Sequence, residues 1–167
     1  MTTFELKPLS REGISAALEK GMRYRLLNEP GETESICHDV LRIDPENQQA
    51  LVLLLLALSD RLRKGYCVGA LEAQEILPRL KDPYERAYYS GIISERRAKA
   101  ALERESLASN EVAYGCLHEA MEFYDQAEKL RPSGNDDALL RWNACARVLM
   151  QNKLAPPDDQ YIEQQLE

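Results

Sequence analysis

The side chains best suited to chemistry are few: two histidines, His38 and His118, and four cysteines, Cys37, Cys67, Cys116 and Cys145. Glu34 and His38 stand four apart, on one face of any helix that holds them, and a metal site can begin that way. A di-iron helical bundle, however, takes two ExxH motifs and two further glutamates, and neither ExxH is present. Two histidines also fall short of the usual three-ligand catalytic zinc set. Cys37 and His38 are sequence neighbours, so on a helix they project about 100° apart and cannot act together as nucleophile and base. No GxxxxGK[ST], GxGxxG, GxSxG or HExxH occurs. The chain reads as a non-enzyme, with no cofactor and no metal.

The cysteines are separated by 30, 49 and 29 residues, without a CxxC pair. That spacing argues against a zinc site, and the lack of an export signal argues against a disulfide framework. Buried thiols filling small core positions are expected instead. The stretch Met1 to Lys7 has no basic segment leading into an apolar run. The longest apolar stretch, Ala50 to Leu58, is nine residues. At 1.5 Å per residue it spans about 14 Å, less than half of a ~30 Å hydrocarbon core. A cytoplasmic, reduced protein with no membrane partner is the expectation.

Chemistry being sparse, the elements carry the argument. The chain has 167 residues, of which 25 are Leu and 18 Ala, against only 7 Ile, 5 Val and 3 Thr. Helices favour the first pair and sheets the second set, so an all-α protein is expected. The length suits one domain, read as 12–152, with an N-terminal extension over 1–11 and a tail over 153–167. The net charge is −7, which argues against nucleic acid, since non-specific binding to phosphates is largely cationic.

Four proline-bearing turns punctuate the chain: Glu29-Pro30-Gly31, Asp44-Pro45-Glu46-Asn47, Lys81-Asp82-Pro83 and Arg131-Pro132-Ser133-Gly134. Proline lacks an amide donor and disfavours helix in the residue before it, so each marks a helix boundary. Between the turns, apolar residues recur at three- and four-residue spacing, as in Ile36, Val40, Leu41 and Ile43. Near one end lies Ala120, then Tyr124, Ala127 and Pro132. That order resembles the second helix of a tetratricopeptide repeat, in which small residues bracket an aromatic ring and a proline follows. Aligning Pro45 with Pro132 puts Thr33, Cys37 and Val40 at the same three positions, and counting back puts Gly21 and Tyr24 on the repeat's glycine and tyrosine. Leu51, Leu54 and Leu58 head a more degenerate middle repeat, and Gly91 takes the small position of the third.

The resemblance covers about residues 12–150 and implies some seven antiparallel helices stacked as a right-handed solenoid of hairpins. Pro83 to Pro132 is 49 residues, against about 34 for a standard repeat. The helix-favouring run Glu95 to Glu105, with Glu95 and Lys99 set for an i,i+4 pair, turns that excess into one long hairpin, helices near 84–107 and 111–131.

Solenoids of this type commonly bind along the concave face lined by the first helix of each repeat. Position counting under the resemblance brings Met22, Arg25, Val52, Leu56, Ser59, Tyr88, Ile92, Glu95 and Arg96 toward that face, and the last helix adds Arg141, Asn143 and Arg147. The expected occupant is a peptide or helix with apolar anchors and a carboxylate for the arginines. The chain's own tail fits this description through Tyr161, Ile162, Leu166, Glu163 and Glu167, in the same molecule or in a homodimer. Some tetratricopeptide co-chaperones grip a C-terminal carboxylate with Lys and Asn, but here Leu18, Met22 and Leu53 stand where those would be. The leading expectation is a non-catalytic adaptor or assembly factor. A small chaperone holding an exported client comes second, and a helical enzyme or metal protein without a visible motif third.

Overall fold

Two of the prolines that punctuate the sequence open helices. The computed structural model describes residues 3–62 and 68–157. Its helices are α1 (Ile14–Leu26), α2 (Pro30–Ile43), α3 (Gln48–Asp60), α4 (Val68–Ile76), α5 (Pro83–Leu102), α6 (Leu107–Leu130) and α7 (Asp137–Gln151). No strand occurs among the described residues. Pro30 and Pro83 sit at first-turn positions of α2 and α5, where their missing amide would be unpaired anyway. Asn47 caps α3 by accepting from the Ala50 amide at 2.9 Å, and Asp82 caps α5 by accepting from the Tyr84 amide at 2.8 Å. At the other end of α1, Asn28 takes φ 63°, and the Glu29 amide reaches back to the Tyr24 carbonyl at 2.9 Å. That closes the helix with a left-handed residue, as glycine more often does.

The long hairpin is present, with shifted joints. α5 stops at Leu102 and α6 starts at Leu107, where a start near 111 was expected. Ser106 and Ser109 explain the shift, because each hydroxyl accepts from the other's backbone amide (3.1 and 2.9 Å). This is a capping box with serine in place of the usual glutamate or glutamine.

The helices form two compact units, α1–α4 and α5–α7. In the first, Gly21 of α1 lies against Leu53 of α3, and Arg25 one turn on bonds Asp60. Contacts that advance together mean that α1 and α3 run the same way. Glu34, near the start of α2, pairs with Arg61 just past the end of α3, so α2 runs against them. Thr33, Cys37 and Val40 are all fully buried, and the Thr33 hydroxyl donates to the Gly21 carbonyl at 2.9 Å.

The second unit repeats the arrangement of α1–α3, without a counterpart of α4. Gly91 of α5 lies against Tyr124 of α6, while Ser94 and Arg97 further along α5 meet Glu119 earlier on α6. Those two helices are antiparallel. Tyr84 then Glu95 of α5 meet Asn135 then Arg141, so α7 runs parallel to α5. Ala120, Tyr124 and Ala127 are fully buried, as the small–aromatic–small reading anticipates.

Candidate functional site

In the first unit the expected binding residues belong to α1 and α3. α3 is buried on almost every side, as the apolar run Ala50–Leu58 demands. Beyond Gln48 and Gln49 of the first turn, Val52, Leu56 and Asp60 are the exceptions: spaced by four, they form one half-buried stripe. Met22 on α1 is 39% exposed. It lies about 100° round its helix from Gly21, and Val52 lies about 100° round α3 from Leu53 in the opposite sense. Gly21 faces Leu53 across parallel helices, so opposite rotations carry Met22 and Val52 to the same side of the pair. Arg25 closes one end of this strip. Its Nε donates to Asp60 Oδ2 at 2.7 Å, with both side chains about one-fifth exposed. Met22, Arg25, Val52 and Leu56 therefore belong together.

The second unit treats its expected residues differently. Ile92 is 4% exposed, which corrects its reading as a groove residue: on α5 it is neighboured by Gly91 and Ile93, both buried as well. Arg141, expected to offer its guanidinium to a ligand's carboxylate, already has one, because it donates to Glu95 Oε1 at 3.4 Å and bonds Tyr88. Asn143 is half-buried and Arg147 exposed. They stand four apart on one face of α7, while Arg141 lies about 160° round the helix from Asn143. The three residues thus do not form one carboxylate clamp. Arg96 is half-buried on α5.

Glu95 is the densest chemistry in the described chain. It is 3% exposed, and a buried carboxylate must be neutralised or bonded. Lys99 Nζ donates to Oε1 at 2.6 Å, the Tyr124 hydroxyl donates to Oε2 at 2.8 Å, and Arg141 adds its charge. Burial alone would raise the Glu95 pKa. The bonds from Lys99 and Tyr124, with the charges of Lys99 and Arg141, outweigh it and hold the carboxyl below its ordinary range. Tyr124 shifts the opposite way, far upward, through burial and the adjacent carboxylate. A carboxylate held ionised by two cations and a phenol held protonated are poorly set for proton transfer near neutrality. The cluster locks α5, α6 and α7 together. Lys99 is the one member foreseeable from local spacing; Tyr124 and Arg141 lie 29 and 46 residues away.

The histidines sit apart, His38 on α2 beside Glu34 and His118 on α6 beside Glu122, each near a carboxylate one turn away. Among the described residues no group of three or more His, Cys, Asp or Glu is arranged to hold a metal. Burial, with Glu34 nearby, pushes the Cys37 thiol up to about 12, and burial with Glu95 does the same to Cys145. Cys116 is buried and shifted upward too, while Cys67 lies outside the described residues. No helix among those described is long and apolar enough to cross a membrane. No protein-family model, curated protein or solved structure matches this chain.

Proposed function

We propose that the chain is a non-catalytic protein-interaction module, an adaptor or assembly factor, built on tetratricopeptide-like helical hairpins. The observation that carries this reading is the strip on the first unit. α3 buries eight of its thirteen residues, yet keeps Val52 and Leu56 half-exposed beside Met22, with Arg25 and Asp60 at one end. Apolar surface left open between ordered helices is what a helix or an extended peptide needs for anchorage. The tetratricopeptide resemblance is supported by the helix order of α1–α3 and of α5–α7, in each case two parallel helices with an antiparallel one packed on both. It is also supported by the burial of Ala120, Tyr124 and Ala127 and of Thr33, Cys37 and Val40 at the positions the repeat assigns to close packing.

The test is affinity capture from the native cell with three baits: the parent, Leu56→Glu, and Leu27→Glu as a control at an exposed apolar residue off the strip. A chain retained by parent and control but lost with Leu56→Glu supports the reading, provided Leu56→Glu keeps the parent's helical circular dichroism. An exported client among those chains would favour the chaperone role over the adaptor. Equal retention by all three baits removes the strip as the working surface.

A further inference from the structure

The outer face of α7 is open. Leu140 is 60% exposed and Met150 70%, and between them on the same side lie half-buried Asn143 and exposed Arg147. The opposite side of the helix is spent on Ala138, Arg141 and Cys145, which are buried or turned toward α5. An apolar–cationic–apolar face on the last helix of a unit is a surface with a vacant partner position.

Three features point to one occupant. The first is direction. Lys153 takes φ 51°, and the Leu154 amide bonds back to the Leu149 carbonyl at 3.0 Å, so α7 ends in a left-handed cap and the chain turns off the helix axis where it leaves. The second is length. Residues 158–167, outside the described structure, number ten, and as a helix ten residues span about 15 Å, the separation of Leu140 from Met150 along α7. The third is complementarity. Those ten residues contain Asp158, Asp159, Glu163 and Glu167 and no Lys or Arg, with Tyr161, Ile162 and Leu166 as their apolar content. Ile162 and Leu166 stand four apart, as Glu163 and Glu167 do, so a helix here would set an acidic edge beside an apolar one.

We infer that residues 158–167 dock intramolecularly on the outer face of α7, with Ile162 and Leu166 against the Leu140–Met150 side and a glutamate on Arg147. This occupies a different surface from the strip on α1 and α3, and it stands or falls independently of the adaptor reading.

The test uses the full chain and chymotrypsin, following cleavage after Tyr161 by mass spectrometry. Docking protects that bond, so the parent should be cut well below the rate of a free peptide spanning 155–167. Arg147→Glu replaces an attraction with a repulsion on an exposed site, and it should speed the cut about tenfold or more, the change expected when ~1.4 kcal/mol of docking is lost and cleavage follows the open population. Leu140→Ser with Met150→Ser should do likewise. A parent cut as fast as the free peptide overturns the inference, as does a rate indifferent to all three substitutions. Light scattering on the same sample completes the test: a monomer mass with protection intact supports docking within one chain, and a dimer mass that falls together with protection on dilution overturns it.

Discussion

The Tyr124 hydroxyl donates to Glu95 across 2.8 Å, and the ring that carries it lies over Gly91, one turn before Glu95 on the same helix. One side chain of α6 thus reads two consecutive turns of α5. The ring needs a missing side chain below it, and the hydroxyl needs an anion beyond it.

Adding a methyl beneath the ring should be costly. A Cβ at residue 91 would sit 2.5 Å from Tyr124 Cε1, inside a fully buried contact. Alanine gains about 1 kcal/mol of helix propensity over glycine, but overpacking typically costs about 1–3 kcal/mol. Gly91→Ala should therefore lower the urea midpoint, whereas Gly115→Ala, where nothing lies within 4 Å, should raise it. Matching gains at both sites would mean that the ring moves aside freely.

Removing the hydroxyl tests the other half. Tyr124→Phe keeps the ring over Gly91 and strips one donor from a buried carboxylate, a loss on the order of 1–3 kcal/mol. Urea unfolding with an unchanged slope and a lower midpoint is the expected result. A parent-like midpoint would show that Lys99 and Arg141 satisfy Glu95 unaided.

The same carboxylate sets a pH dependence. Its folded pKa lies below the unfolded value of about 4.3, so the folded state favours the ionised form. The resulting stabilisation is complete above about 4.3 and is lost as pH falls from there through the lower, folded value. Glu95→Gln, which cannot ionise, should be less stable at neutral pH, and the gap to the parent should narrow as pH drops below about 4. Denaturant melts from pH 7 to pH 3 measure this. A gap constant with pH would mean that folding leaves the Glu95 pKa at its unfolded value, and a gap that widens on acidification would mean that folding raises it.

The buried thiols make a simpler prediction. Cys37 and Cys145, both lifted to about 12, hold negligible thiolate at pH 8 and are shielded from reagent. Iodoacetamide under native conditions should leave both unmodified for hours, and in 6 M guanidinium both should react within minutes. Peptide mapping by mass spectrometry distinguishes the two; native modification of either would show that its helix opens on that timescale.

How much of this was legible in the residues depends on distance along the chain. The Ala120–Tyr124–Ala127 contact and the Glu95–Lys99 pair were readable because both follow helical periodicity within one element. Pro30 and Pro83 marked helix starts, because a fixed φ and a missing amide act locally. The start of α6 was missed by four residues because Ser109 stands where the capping signal expects a longer acidic or amide side chain. Position counting alone turns Arg141 toward a ligand, because its partner comes from 46 residues away, beyond what a periodic pattern encodes. Ile92 followed the same logic: position counting assigns a face, and only packing decides whether the face is covered. On the first unit, the half-exposure of Val52 and Leu56 came from a run that reads as uniformly apolar, so their difference from Leu53 and Leu55 lies in the neighbours rather than in their own residue types.

The two units resemble each other in helix order, and similar modules in one chain risk exchanging partners while they fold. In the first, the residue one turn past the close-packed glycine is a cation, Arg25, answered by the anion Asp60. In the second it is an anion, Glu95, answered by the cation Arg141. The signs are reversed. A folding chain that laid α1 against α7 would bring Arg25 toward Arg141, and one that laid α5 against α3 would bring Glu95 toward Asp60. Each error sets like charges together and leaves each without its native partner, which disfavours the wrong pairing. The opposed polarity of the two pairs therefore favours each helix pairing within its own half of the chain.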